Sequence, residues 1–259
     1  MRLPLFQVDA FAPRPFSGNP AAVCLLENWL DDTVLQGIAT ENNLSETAFL
    51  VVAGGRVAIR WFTPACEVDL CGHATLAAGA VMLEEAGLGA SEIVFESPAG
   101  PLRVSRSGQG YAVELPSRPG RDAPVPDGLD DALGAEVVDC RLADYRMAVV
   151  GQEAVVRELT PDLEWIAAQP ELGLIVTSAG DEVDFVSRFF APGAGVPEDP
   201  VTGSAHCTLV PYWADRLGKD TLIARQLSSR GGELACENRT DTVRLSGAVR
   251  PYLRGEITI

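Results

Sequence analysis

Several side chains in this sequence stand where proton chemistry on a small molecule would need them. Glu46 sits in Leu44-Ser45-Glu46-Thr47-Ala48-Phe49, where a loop enters an apolar strand. A carboxylate at the mouth of a core strand sheds solvent, which favours its protonated form and suits it to proton transfer. His73 follows Gly72 at the start of an apolar helical stretch, and Ser204 follows Gly203 at the start of another. A helix N-terminus offers unpaired N–H groups and partial positive charge, a ready site for a carboxylate. It also disfavours the imidazolium, keeping a histidine there neutral and available. Glu67-Val68-Asp69 leads into the first stretch, and Glu198-Asp199-Pro200-Val201-Thr202 into the second. The plain alternatives are helix caps for His73 and Ser204 and solvated charges for the acids.

Other chemistries are poorly supplied. The only lysine, Lys219, follows Arg216-Leu217-Gly218 and reads as a solvated charge near a helix end rather than a Schiff-base amine. Two histidines, His73 and His206, are too few for a histidine-built zinc site. Gly193-Ala194-Gly195 lacks the third glycine and the strand–turn–helix setting of a dinucleotide fingerprint. The expectation is catalysis by side chains alone, with no cofactor and no metal.

Thirty-six acidic against 20 basic residues give a net charge of −16, which argues against nucleic acid and anionic membrane surfaces as partners. The longest uncharged apolar run, Leu70 to Leu83, is short of the roughly 18 residues a spanning helix needs. The N-terminus meets Asp9 too early for a signal peptide. Six cysteines without a CxxC pair point to reduced thiols and a cytoplasmic protein. At 47% hydrophobic residues the chain has material for a packed core.

The elements that must position these groups follow from periodicity. Arg2 to Phe11 alternates as a strand, residues 12–20 form a Pro/Gly loop, and Ala21 to Leu26 is a second strand. Leu30 to Asn42 is helical, and Thr47 to Val52 and Val57 to Phe62 are strands around Gly54-Gly55. From His73 to about Ala86 the spacing predicts a helix apolar on nearly every face, which must be enclosed by protein on all sides. The order then repeats. Arg60-Trp61-Phe62-Thr63-Pro64 leads to Gly72-His73-Ala74, as Arg188-Phe189-Phe190-Ala191-Pro192 leads to Gly203-Ser204-Ala205, and Pro20-Ala21-Ala22-Val23 is echoed by Arg146-Met147-Ala148-Val149. A Pro/Gly-rich segment at 115–129 separates the copies. The expected domains are 1–117 and 118–259, with the last strand able to return to the first.

Together Val8-Asp9-Ala10-Phe11, Phe16-Ser17-Gly18-Asn19-Pro20-Ala21-Ala22-Val23, Asn43-Leu44-Ser45-Glu46-Thr47-Ala48-Phe49, Glu67-Val68-Asp69-Leu70-Cys71-Gly72-His73-Ala74-Thr75 and Glu198-Asp199-Pro200-Val201-Thr202-Gly203-Ser204-Ala205 resemble the phenazine-biosynthesis-like (PhzF) family of the diaminopimelate-epimerase-like superfamily. The resemblance implies an α+β fold of two similar domains, each a curved, mainly antiparallel sheet wrapped around a central buried helix. It implies an active site in the cleft between them, a homodimer and no cofactor. In the family's phenazine enzyme a glutamate moves a proton between ring carbons of trans-2,3-dihydro-3-hydroxyanthranilate. That glutamate matches Glu46, and its catalytic partners match His73 and Asp199. Asn19, Ser45, Gly72, Gly203 and Ser204 are the implied groups for binding a small carboxylated substrate.

The superfamily's amino-acid epimerases use two cysteines, one beside each helix start. Here Cys71 occupies the first place and Thr202, a far poorer acid or base, the second. A Cys71-dependent racemase and a non-catalytic binding protein of the same fold remain the alternatives to a proton-shifting isomerase.

Overall fold

The computed structural model describes residues 1–85, 90–108 and 110–259. They divide into two compact units, Met1–Leu115 with Leu245–Ile259, and Pro116–Arg244. The first contains β1 (Arg2–Ala10), β2 (Asn19–Leu26), α1 (Asp32–Asn42), β3 (Glu46–Ala53), β4 (Arg56–Phe62), β5 (Glu67–Val68), α2 (Gly72–Glu85), β6 (Glu92–Ser97), β7 (Gly100–Ser107) and β8 (Gly110–Pro116). The second contains β9 (Arg121–Asp122), α3 (Leu129–Leu133), β10 (Val137–Leu142), β11 (Arg146–Val150), α4 (Glu153–Glu158), α5 (Leu163–Ala167), β12 (Leu174–Ala179), β13 (Phe185–Ala191), β14 (Val196–Asp199), α6 (Gly203–Leu217), β15 (Thr221–Gln226), β16 (Gly232–Asn238) and β17 (Thr242–Gly247). The final strand β18 (Val249–Thr258) returns to the first unit and pairs with β1.

In the first unit β1 runs antiparallel to β18 on one side and to β2 on the other. β2 is parallel to β3, β3 antiparallel to β4, and β4 parallel to β6, which continues antiparallel into β7 and β8. Helix α2 packs against β1, β2, β3, β6, β7 and β18. Every residue from Cys71 to Leu83 is buried, as the all-round apolar pattern demands. The approach is close: a Cβ on Gly79 would meet Val104 Cγ1 at 2.3 Å. The helix is described to Glu85, and its expected end at Ala86 lies outside the described residues. No described helix is long and apolar enough to cross a membrane.

The second unit repeats this order. β10 is antiparallel to β11, β11 parallel to β12, β12 antiparallel to β13, and β13 parallel to β15. The repeat extends to side chains. Arg60 on β4 binds Glu67 on β5 at 2.6 Å and lies over Phe62, while Arg188 on β13 binds Glu198 on β14 at 2.6 Å and lies over Phe190. Glu67 and Glu198 are therefore held as structural ion pairs at the approaches to α2 and α6. Lys219 follows the left-handed Gly218 cap of α6, near the helix end as expected, but pairs with Asp184 rather than standing as a free solvated charge.

Where a Pro/Gly loop is expected over 12–20, the β1–β2 ladder continues through Pro20 to Asn19. Gly18 makes this entry possible. Its φ is +71°, and a Cβ there would lie 2.2 Å from Ala10 O. Phe11 and Phe16 are also left-handed, so the loop is held in strain before it delivers Asn19. Gly18→Ala is expected to destabilise the protein by about 1–3 kcal/mol in urea unfolding. A wild-type midpoint would show that the tight entry is not required.

Candidate active site

Parallel pairing of β2 and β3 sets Ala21 opposite Glu46, so Asn19 and Glu46 open two neighbouring strands. Helix α2 begins beside them. His73 lies in its first turn rather than at its cap, because the helix starts at Gly72. Asn19 is fully buried, and its Nδ2 is 3.1 Å from His73 Nδ1. Cys71 Sγ is 3.5 Å from the same nitrogen. On the other edge of the ring, Nε2 is 3.2 Å from Glu46 Oε2. The His73 side chain is 3% exposed and that of Glu46 17%, yet Oε2 is completely buried. What exposure Glu46 keeps lies elsewhere on its side chain. Ser45 is half-buried in the bend before it.

Burial lowers the His73 pKa to about 3, so the ring is neutral throughout the physiological range. A neutral imidazole is what the helix-end position suggests, but the cause is loss of solvent. Glu46, Cys71 and His73 bring one potential ligand atom each within 4.8 Å of one another. Nδ1 already meets the Asn19 amide, so His73 would offer that set Nε2 alone.

Asp199, Gly203 and Ser204 belong to the second unit, where they have their own order. Asp199 ends β14, is buried, and accepts from Thr202 Oγ1 at 2.5 Å. Gln226 ties the turn: its Nε2 donates to Asp199 O at 2.8 Å, and its Oε1 accepts from Thr202 N–H at 2.8 Å. Thr202, not Ser204, is the N-cap of α6, but its hydroxyl goes to Asp199 and the helix has no side-chain cap. Ser204, in the first turn, shares a hydrogen bond of 3.1 Å with Tyr145. Asp69, by contrast with Asp199, is exposed.

The second histidine, His206, is fully buried on α6, with Nδ1 2.8 Å from Thr202 O. Desolvation takes its pKa down to about 4 against a smaller opposing effect of that carbonyl. Gln226 and Tyr145 carry no signal in the sequence by type alone. The internal repeat points to Tyr145, since aligning Pro20 with Arg146 sets Asn19 against Tyr145, and aligning Gly72 with Gly203 sets His73 against Ser204. The hydrogen bonds Asn19–His73 and Tyr145–Ser204, both 3.1 Å, are then the same link made twice.

The model of the phenazine biosynthesis-like proteins matches residues 8–254. The chain belongs to that family. It is 47% identical to an uncharacterized isomerase of Pseudomonas aeruginosa over 99% of both chains. A PhzF-family crystal structure from Enterococcus faecalis is 43% identical, covers 100% of both chains and superposes with a TM-score of 0.95. A hydroxyproline epimerase from Agrobacterium vitis, 11% identical over 99% of this chain and 92% of its own, shares the fold with a TM-score of 0.68. The fold is thus the α+β epimerase-like architecture of two similar halves, and the relatives place this PhzF-family protein among isomerases.

The buried histidines make stability depend on acid. Unfolded imidazoles titrate near 6.5, whereas the native ones stay neutral to about 3 and about 4. Between these values the unfolded chain binds more protons, so the stability is fully present above about pH 6.5 and is lost as pH falls toward 4 and then 3. Urea midpoints measured downward from neutral pH are expected to drop from about pH 6.5, less steeply in His206→Gln. A wild-type midpoint flat to about pH 4 would contradict the burial argument.

Proposed function

We propose that this protein is a cofactor-independent isomerase that moves a proton on a small carboxylated substrate, with Glu46 as the acid/base. The observation that carries the reading is the pairing of Glu46 Oε2 with a buried, neutral His73. Taking a proton from carbon needs a base held in place and shielded from water, and a developing anion that is stabilised. Glu46 meets the first need: one oxygen is fixed against the imidazole, and the side chain keeps some exposure. The first-turn N–H groups at Gly72 suit the second, as do those at Gly203 and Ser204, where no side chain caps the helix.

Asp199 is the further candidate catalytic group, held for the task by Thr202, and Ser45 a candidate substrate contact. Family likeness supports trans-2,3-dihydro-3-hydroxyanthranilate and related cyclic carboxylates as the substrates to try first. It also supports a homodimer, and six free cysteines support a reducing, cytoplasmic setting.

A racemase reading has one observation in its favour, the 3.5 Å approach of Cys71 Sγ to His73. It lacks a second thiol. Thr202 stands in that place, and its hydroxyl is committed to Asp199.

The test is solvent-deuterium incorporation by mass spectrometry, with dihydro-hydroxyanthranilate and a panel of small carboxylates in D₂O. Glu46→Gln is expected to slow mass gain by roughly 10²–10⁴-fold and Cys71→Ala to leave it within a few-fold. Unchanged exchange in Glu46→Gln would overturn the assignment, and loss confined to Cys71→Ala would favour the racemase.

A further inference from the structure

We propose that Asn19 is a positioning residue that locks His73 in the tautomer protonated at Nε2, so that the ring N–H faces Glu46 Oε2 and the migrating proton is carried on Oε1. The atom-level division of labour rests on the reading of Glu46 as the base; the tautomer does not.

Donors and acceptors around the ring decide its tautomer. A neutral imidazole has one N–H and one lone pair, and its surroundings decide which nitrogen has which. The Asn19 amide nitrogen, 3.1 Å from His73 Nδ1, can only donate. A thiol at 3.5 Å from the same atom is able to donate to it as well. Nδ1 must therefore be the acceptor, which puts the ring proton on Nε2. That nitrogen faces a carboxylate oxygen at 3.2 Å, and an ionised carboxylate can only accept. The amide and the ionised carboxylate each select the same tautomer. The alternative would set an N–H against an amide N–H on one edge and a lone pair against a carboxylate on the other, in a buried site.

Two consequences follow for the base. Oε2 is completely buried, out of reach of a substrate, so Oε1 is the atom that collects the proton. His73, with no lone pair facing Glu46, cannot take that proton onward. The proton leaves Glu46 only by returning to the substrate or to solvent, as a one-base isomerase requires. His206 provides the contrast within the same chain. Its Nδ1 meets a backbone carbonyl, which can only accept, so that ring is protonated at Nδ1. Thr75 does the same service in the first unit, donating to Cys71 O at 2.5 Å. The two histidines are thus held in opposite tautomers, one set by an amide donor and the other by a carbonyl.

The chain has only these two histidines, so protein labelled with ¹⁵N-histidine gives two ring systems, assigned with a His206→Gln variant. Ring ¹⁵N shifts and ring-proton couplings at neutral pH are expected to show His73 protonated at Nε2 and His206 at Nδ1. Asn19→Asp, which replaces the donor with an acceptor, is expected to move a proton onto His73 Nδ1 and to lower deuterium exchange at least tenfold. Asn19→Ser, which keeps a donor, is expected to restore part of both. His73 protonated at Nδ1 in the wild type, or an unchanged His73 signature in folded Asn19→Asp, would overturn the proposal. If Asn19→Asp does not fold, the wild-type spectrum decides. Because the tautomer is read without substrate, an Nε2–H signature in a protein inert in D₂O would refute the proposed activity and leave the tautomer assignment standing.

Discussion

The structure depends on a neutral imidazole buried between an amide and a carboxylate. His73 sits in the first turn of a helix that has no polar face, so the ring enters the core with it. An imidazolium there would carry a charge without solvent, and the core excludes it. Neutrality in turn fixes what each edge of the ring can bond. From that one constraint follow the burial of Asn19, the strained loop that brings it in, and the direction in which Glu46 is held.

The two units show how a duplicated scaffold can keep its joints and change its chemistry. Both keep the arginine–glutamate pair that ties a long strand to the short strand leading into the helix, together with the aromatic ring under the arginine. Both keep a hydrogen bond from strand start to helix start. The reactive positions differ. Glu46 stands opposite Ala21, and the corresponding position opposite Met147 is Ile175, fully buried and without a proton to exchange. Cys71 is answered by Thr202, whose hydroxyl serves Asp199. One unit carries the carboxylate–imidazole pair and the other a buried aspartate beside an uncapped helix.

Much of this was legible in the residues, for physical reasons. A helix apolar on all faces can only be central, and α2 is. Arg60-Trp61-Phe62 and Arg188-Phe189-Phe190 mark the repeat because the same ion pair and ring contact select the same residues twice. Glu46 and His73 stood out as polar groups where apolar elements begin. Other features were hidden. The Asn19–His73 link spans 54 positions and exists only once register and helix placement are set. Gln226 is an ordinary polar residue until the chain brings it under Asp199. Glycine and proline over 12–20 read as a loop, although Asn19 and Pro20 continue the ladder. The plain cap reading of Ser204 fails because Thr202, two residues earlier, takes that position while spending its hydroxyl on Asp199.

The central claim is that a carboxylate does the proton transfer while the histidine beside it never changes charge. The pH dependence of kcat/KM on a turned-over substrate tests it most directly. The account predicts one ionisation on the acid side, the same limb in His206→Gln, and no inflection contributed by an imidazole near its ordinary value of 6.5. A limb near 6.5 that disappears when His73 is replaced would show that the histidine titrates during catalysis, and the account would be wrong.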